Sequence, residues 1–142
     1  MTATLLPPKP ARLPQPKAAA RVLLVEDDDD VRTALRVCLE ASKLHVGEAC
    51  DGREALRLVT EFAPDIVLLD LGLPEVDGIE VLERIHALGA KAPKVVVLSA
   101  WGEERCEGMV LELGAALFLQ KPAMFGEILR AIRYLLSEDS DR

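Results

Sequence analysis

The chain has 142 residues, with 24 acidic side chains against 17 basic ones and a formal charge of −7. That length suits one domain with its own core, and the acidity disfavours contact with a nucleic-acid backbone of the same sign. No apolar stretch approaches the roughly 20 residues of a membrane span, and Cys38, Cys50 and Cys106, widely spaced and without a CxxC pair, read as reduced thiols of a cytoplasmic protein.

Residues 1–20 hold Pro7, Pro8, Pro10, Pro14 and Pro16, with Lys9, Arg12 and Lys17 and no acid. Proline at this density blocks a helix and favours an extended, disordered extension. A transit peptide is a poor reading, because such peptides are Ser-rich and amphipathic and this segment has no serine. The remaining 14 bases and 24 acids leave residues 21–142 with a charge of −10.

From Arg21 apolar runs at 21–25, 44–49, 65–69, 94–98 and 115–119 alternate with helical patterns at 29–41, 52–62, 78–88, 103–113 and 123–136. Val31, Ala34, Leu35, Cys38 and Leu39 have helical spacing, as do Ile79, Val81, Leu82 and Ile85. Gly89 and Gly114 stand where left-handed helix C-caps are expected, and Pro64 and Pro93 mark strand entries. The first, third and fourth strand runs are near-continuously apolar, as when helices cover both faces of a sheet. Five βα repeats predict an α/β fold, a doubly wound five-stranded parallel sheet with five helices, over residues 21–137. Residues 138–142 are left as a short charged tail.

Reactive side chains fall at the ends of these strand runs. Glu26-Asp27-Asp28 follows the first, Asp70 ends the third, Ser99 the fourth, and Lys121-Pro122 the fifth. In an open parallel sheet the carboxyl ends share one edge, where ligands bind. Carboxylates gathered there repel one another unless a hard cation such as Mg²⁺ neutralises them, and Mg²⁺ takes a few carboxylates together with phosphate oxygens. A pocket combining acids, a hydroxyl and an ammonium suits an aspartyl phosphate.

In order and spacing, Val25-Glu26-Asp27-Asp28, Leu69-Asp70-Leu71-Gly72-Leu73-Pro74 with Asp77-Gly78, Leu98-Ser99-Ala100, Gly114-Ala115 and Lys121-Pro122 resemble the receiver domain of two-component response regulators. The resemblance implies phosphorylation of Asp70 by a sensor histidine kinase or phosphotransfer protein. It implies Mg²⁺ held by Asp27, Asp70 and the Gly72 carbonyl, with Glu26 acting through water. Ser99 and Lys121 would contact the phosphoryl group, and Phe118 stands where the family carries a switch aromatic, although a plain core role fits it nearly as well. Lys121-Pro122 is expected to be cis. Asp28 reads as the N-cap of the first helix, and Asp29 and Asp30 as acids that suit a helix N-terminus. Trp101 reads as a surface aromatic or a pocket gate. His45 and His86 read as structural residues.

Departures from the family concern the signalling surface. Gly72 replaces a bulkier residue and leaves the pocket open to water or a partner. Ala116-Leu117 stands where many members carry two acids, and Ala123-Met124-Phe125 opens the last helix. Leu117, Met124 and Phe125 read as an apolar patch through which a downstream protein or a second copy would bind on the 103–136 face, although an inward, core role fits Leu117 or Phe125 about as well. Two other classes fit less well. Haloacid-dehalogenase-type phosphatases need a second Asp two residues after the nucleophile, where Gly72 stands. Nucleotide or flavin modules need a Gly- or hydroxyl-rich first loop, and here that loop is Glu26-Asp27-Asp28-Asp29-Asp30. The chain reads as a stand-alone receiver or one excised from a longer transcriptional regulator.

Overall fold

The computed structural model describes residues 18–72, 78–100 and 104–140, excluding the side chains of residues 104–106 and 139–140. The expectations for segment 1–17, for Leu73, Pro74 and Asp77, for Trp101 and for the Cys106 thiol lie outside the described residues.

Strands β1 (Arg21–Val25), β2 (His45–Ala49), β3 (Ile66–Asp70), β4 (Lys94–Ser99) and β5 (Leu117–Gln120) alternate with helices α1 (Asp29–Ala41), α2 (Gly52–Glu61), α3 (Gly78–His86), α4 (Glu104–Glu112) and α5 (Phe125–Ser140). The strands form one parallel sheet in the order β2-β1-β3-β4-β5. The direction of winding reverses between β1 and β3. In such sheets the crevice beyond the carboxyl ends of those strands is the binding position. Glu26 and Asp70 stand there.

Alternation along each strand builds two cores. Leu23, Val25, Val67, Leu69, Val95 and Val97 pack with Ala55 and Val59 of α2, Val81, Leu82 and Ile85 of α3, and Val110 of α4. On the opposite face Val22, Leu24, Ile66, Leu68, Val96 and Leu98 pack with Leu39 of α1 and Ile128, Ala131, Ile132 and Leu135 of α5. Each fully buried Leu or Ile contributes about 1.5–3 kcal/mol by leaving water, so the sheet centre is the stable platform for what its edge carries.

Local signals explain the helix starts. Asp28 caps α1 by accepting from the Asp30 and Val31 N–H groups at 2.9 and 3.1 Å. Asp51 caps α2 by accepting from the Glu54 N–H at 2.8 Å, and Glu54 reaches back to the Cys50 N–H at 3.4 Å, a reciprocal arrangement akin to a capping box. Gly114 ends α4 at φ +108°, and a Cβ there would run into the His86 ring.

The structure differs from the sequence reading at the last strand and helix. β5 begins at Leu117 rather than 115, because the Ala115 N–H still bonds the Val110 carbonyl of α4 at 2.9 Å. Helix α5 runs on to Ser140 instead of ending at 136. Lys94 braces this stretch: its ammonium donates to the Leu135 carbonyl and to Glu138 in the added turn, each at 3.2 Å. The expected apolar patch also changes. Leu117 and Phe125 turn inward against the α1/α5 core, and only Met124, 74% exposed, faces solvent. Strand alternation places Leu117 on the same face as Leu119, and that face is already covered by α5.

Candidate functional site

Five of the residues singled out above lie at the carboxyl edge of the sheet. Glu26 follows β1 and is 3% exposed; Asp70 ends β3 at 7%, and Ser99 ends β4 at 2%. These are the buried polar side chains among the described residues. Asp27 is exposed, and Lys121, immediately after β5, is half-buried. The Lys121-Pro122 bond is cis.

Lys121 ties the edge together. Its Nζ lies 3.2 Å from Glu26 Oε2 and 3.3 Å from Asp70 Oδ2, while its own N–H donates to the Ser99 carbonyl at 2.8 Å. Asp70 Oδ1 accepts from the Gly72 N–H at 3.1 Å. Glu26 Oε1 accepts from the Asp28 N–H at 3.3 Å. Strand parity gives the rest of the layout: Glu26, Asp70 and Lys121 continue the α1/α5 face of their strands, whereas Ser99 continues the face of Val97. Phe118, paired with Val97 in the β4–β5 register, is half-buried on that second face.

Burial pushes the Glu26 carboxyl above its ordinary range, with the Asp70 charge adding to the effect; Lys121 and the Asp28 N–H work against both. For Lys121 burial acts to lower the pKa, but the charges and hydrogen bonds of Asp70 and Glu26 outweigh it and hold the ammonium above its usual value. Carboxylates outnumber the one described ammonium at this edge, which leaves an excess of negative charge.

Carboxylate oxygens of Glu26, Asp27 and Asp70 lie within 4.8 Å of one another. Hard oxygen donors at that spacing, one of them on the exposed Asp27, suit a small divalent cation that keeps several waters. Beside Glu26 and Lys121 opens a largely apolar cleft of about 390 Å³, lined by Val31, Leu35, Leu98, Pro122, Ala123 and Ile128. A second group, Cys50, Asp51 and Glu54, is accounted for by the capping of α2. There the hydrogen bond to Glu54, together with desolvation, pushes the Cys50 thiol up and away from the reactive thiolate. His45 packs edge-on against Phe62, with ring centroids 5.3 Å apart, at the opposite end of the sheet. His86 packs on Gly114.

Sequence reasoning missed Arg32. Its Nη1 donates to the Glu26 carbonyl at 2.9 Å and its Nη2 to Asp29 at 2.5 Å, and its Nε faces Glu48 of β2 at 3.6 Å. The Asp29/Arg32 spacing was visible as an i,i+3 pair, but the Glu26 and Glu48 contacts need the fold.

Over residues 22–133 the chain matches the family model of the response regulator receiver domain. It is 40% identical over 121 residues to the transcriptional regulatory protein PrrA of Mycobacterium leprae (strain TN), covering 84% of this chain and 51% of that protein. It is 39% identical over 115 residues to the transcriptional regulatory protein LiaR of Bacillus subtilis (strain 168), covering 80% and 54%. The chain thus spans about half the length of these relatives. The crystal structure of a CheY-like response regulator receiver domain protein from Methanospirillum hungatei JF-1 superimposes with a TM-score of 0.81 at 25% identity, covering 87% of this chain and 98% of that one. The BeF3-activated N-terminal receiver domain of Klebsiella pneumoniae RstA gives 0.76 at 26% identity, covering 82% and 97%. A family match across most of the chain, on a five-stranded parallel sheet with acids at its switch point, has one meaning: the chain belongs to the response regulator receiver domain family of two-component signalling.

Proposed function

We propose that Asp70 accepts a phosphoryl group from the phosphohistidine of a sensor histidine kinase or phosphotransfer protein, with Mg²⁺, and that this switches a protein-interaction surface. The observation that carries the reading is the setting of Asp70. It is a buried carboxylate held between the Gly72 N–H and the Lys121 ammonium, with two further acids in reach of a shared cation.

Asp27, Asp70, the Gly72 carbonyl and, through water, Glu26 would hold the ion, which when bound supplies positive charge against the carboxylates and phosphoryl oxygens. An Asp70 oxygen attacks phosphorus; the new O–P bond forms as the donor's P–N bond breaks, and that electron pair stays on the imidazole nitrogen. Lys121, already 3.3 Å from Asp70, follows the added charge onto a phosphoryl oxygen as a charge-assisted donor. Ser99 donates its hydroxyl to another oxygen. Because Ser99 and Phe118 share one sheet face, inward movement of Ser99 vacates space that Phe118 can occupy. Differential contact of this kind is what allows phosphorylation to shift a two-state population.

The output is a downstream protein or self-association through the 103–136 face. Response regulators are signalling proteins, so the only chemistry assigned here is self-phosphorylation and autodephosphorylation. The charge of residues 21–142 argues against direct nucleic-acid contact by this domain, and transcriptional control, the role in the relatives' names, would belong to a longer protein. No described helix is long and apolar enough to cross a membrane; a cytoplasmic location agrees with Cys38 and Cys50 standing as free thiols.

Incubation with acetyl phosphate and Mg²⁺ tests the reading. Wild type should acquire a base- and hydroxylamine-labile acyl phosphate, and Asp70→Asn should not. Uptake by Asp70→Asn at the wild-type rate would refute it.

A further inference from the structure

The backbone of Glu26 is held on both sides of its Cα, at its N–H and at the carbonyl that joins it to Asp27. The Glu26 N–H donates to the Ala49 carbonyl of β2 at 3.1 Å, and the Glu26 carbonyl accepts from Arg32 Nη1 at 2.9 Å. Arg32 is itself held in place: its side chain is only 16% exposed, Nη2 is engaged by Asp29, and Nε faces Glu48. Glu48 in turn is shared with Arg36 Nε at 3.4 Å. Asp27, by contrast, is exposed, and its carboxylate makes no hydrogen bond to a described residue. Nothing but its backbone aims it at Glu26 and Asp70, whose oxygens lie within 4.8 Å of its own.

We infer that Arg32 is a positioning residue for the cation site: by gripping the Glu26 carbonyl it fixes the peptide from which the Asp27 carboxylate projects. The inference rests on the Mg²⁺ reading above. A planar guanidinium can serve the carbonyl, Asp29 and Glu48 in three directions at once; an ammonium keeps the charge but cannot reproduce the fork. The groups behind metal ligands orient them, and their loss typically costs about 10–100-fold in metal affinity.

Charge and position predict opposite signs here. A cation near a cation site repels the incoming ion, so if Arg32 acted only through its charge, Arg32→Ala would tighten Mg²⁺ binding. If it served stability alone, the folded fraction would bind as wild type does. Positioning predicts weaker binding. The decisive experiment is a Mg²⁺ titration of wild type, Arg32→Ala and Arg32→Lys, followed by NMR shifts of the Asp27 and Asp70 amides, with hydrogen exchange of the Asp27 and Asp28 amides in metal-free protein.

The expected result is about tenfold weaker Mg²⁺ binding in both variants, with faster exchange at Asp28, whose amide donates to Glu26 Oε1 at 3.3 Å. Arg32→Lys keeps the measurement available should Arg32→Ala fail to fold. Unchanged or tighter binding in either folded variant overturns the inference while leaving the Mg²⁺ reading intact. A wild type that does not bind Mg²⁺ removes both.

Discussion

Glu26 and Lys121, 95 residues apart in the chain, meet at 3.2 Å across the carboxyl edge of the sheet. Their contact joins the first strand to the last and sets the charge balance around Asp70. Removing Lys121 takes away a charge that holds the Glu26 pKa down.

Stability should therefore depend on pH in a defined direction. Glu26 titrates above its ordinary 4.5 in the fold, so its contribution is present in acid and is lost as pH rises through the raised value. Lys121 titrates above 10.5; its contribution is complete below 10.5 and is lost only above that. In metal-free Lys121→Met the carboxylates repel without relief, so the variant should melt below wild type at neutral pH. The deficit should narrow as pH falls toward the ordinary Glu26 value and protonation removes the repulsion. Thermal unfolding between about pH 5 and pH 8 measures this, and an equal deficit at every pH would contradict it.

Ser99 and Phe118 should be coupled. Beryllofluoride, a phosphoryl mimic, should shift the Phe118 ring signals strongly in wild type and far less in Ser99→Ala. Identical shifts in both proteins would show that Phe118 is simply a core residue on the same sheet face.

Gly72 is exposed beside Asp70, and its lack of a side chain should leave the carboxylate open to water. Among the described residues, a Cβ built there would meet Asp70 Oδ1 at 3.7 Å, an ordinary contact. Gly72→Met should lengthen the acyl-phosphate lifetime several-fold by screening the pocket from water, with the melting temperature unchanged. An unaltered lifetime would place the attacking water's route elsewhere.

Leu117 is partly buried against the core. It packs on the face that holds Leu98 and Ile128, so Leu117→Asp would press a charge against apolar neighbours. It should cost about 1–3 kcal/mol in urea unfolding, as a fully exposed residue would not. A change within ±0.5 kcal/mol would restore the exposed patch that the sequence suggested.

That last residue shows where sequence reading stops. The strands, the helices and the edge that gathers Glu26, Asp70, Ser99 and Lys121 were legible because apolar runs mark strands and parallel topology puts their ends together. The direction in which Leu117 and Phe125 turn depends on how far β5 is shifted against β4 and on where α5 lies, and neither is written in local pattern. The extra turn of α5 carries Glu138 to Lys94, 44 residues earlier in the chain, a contact that local pattern does not reveal. Arg32 looked like one more charge on a surface helix until the fold brought the Glu26 carbonyl and Glu48 to it.

The central claim is chemical, and borohydride reduction tests it most directly. Hydride attack on an aspartyl phosphate expels phosphate and leaves homoserine at the acylated position. After treatment with acetyl phosphate and Mg²⁺, reduction and peptide mass spectrometry should find homoserine at position 70 alone. Homoserine at another aspartate, with residue 70 intact, would contradict the assignment of Asp70.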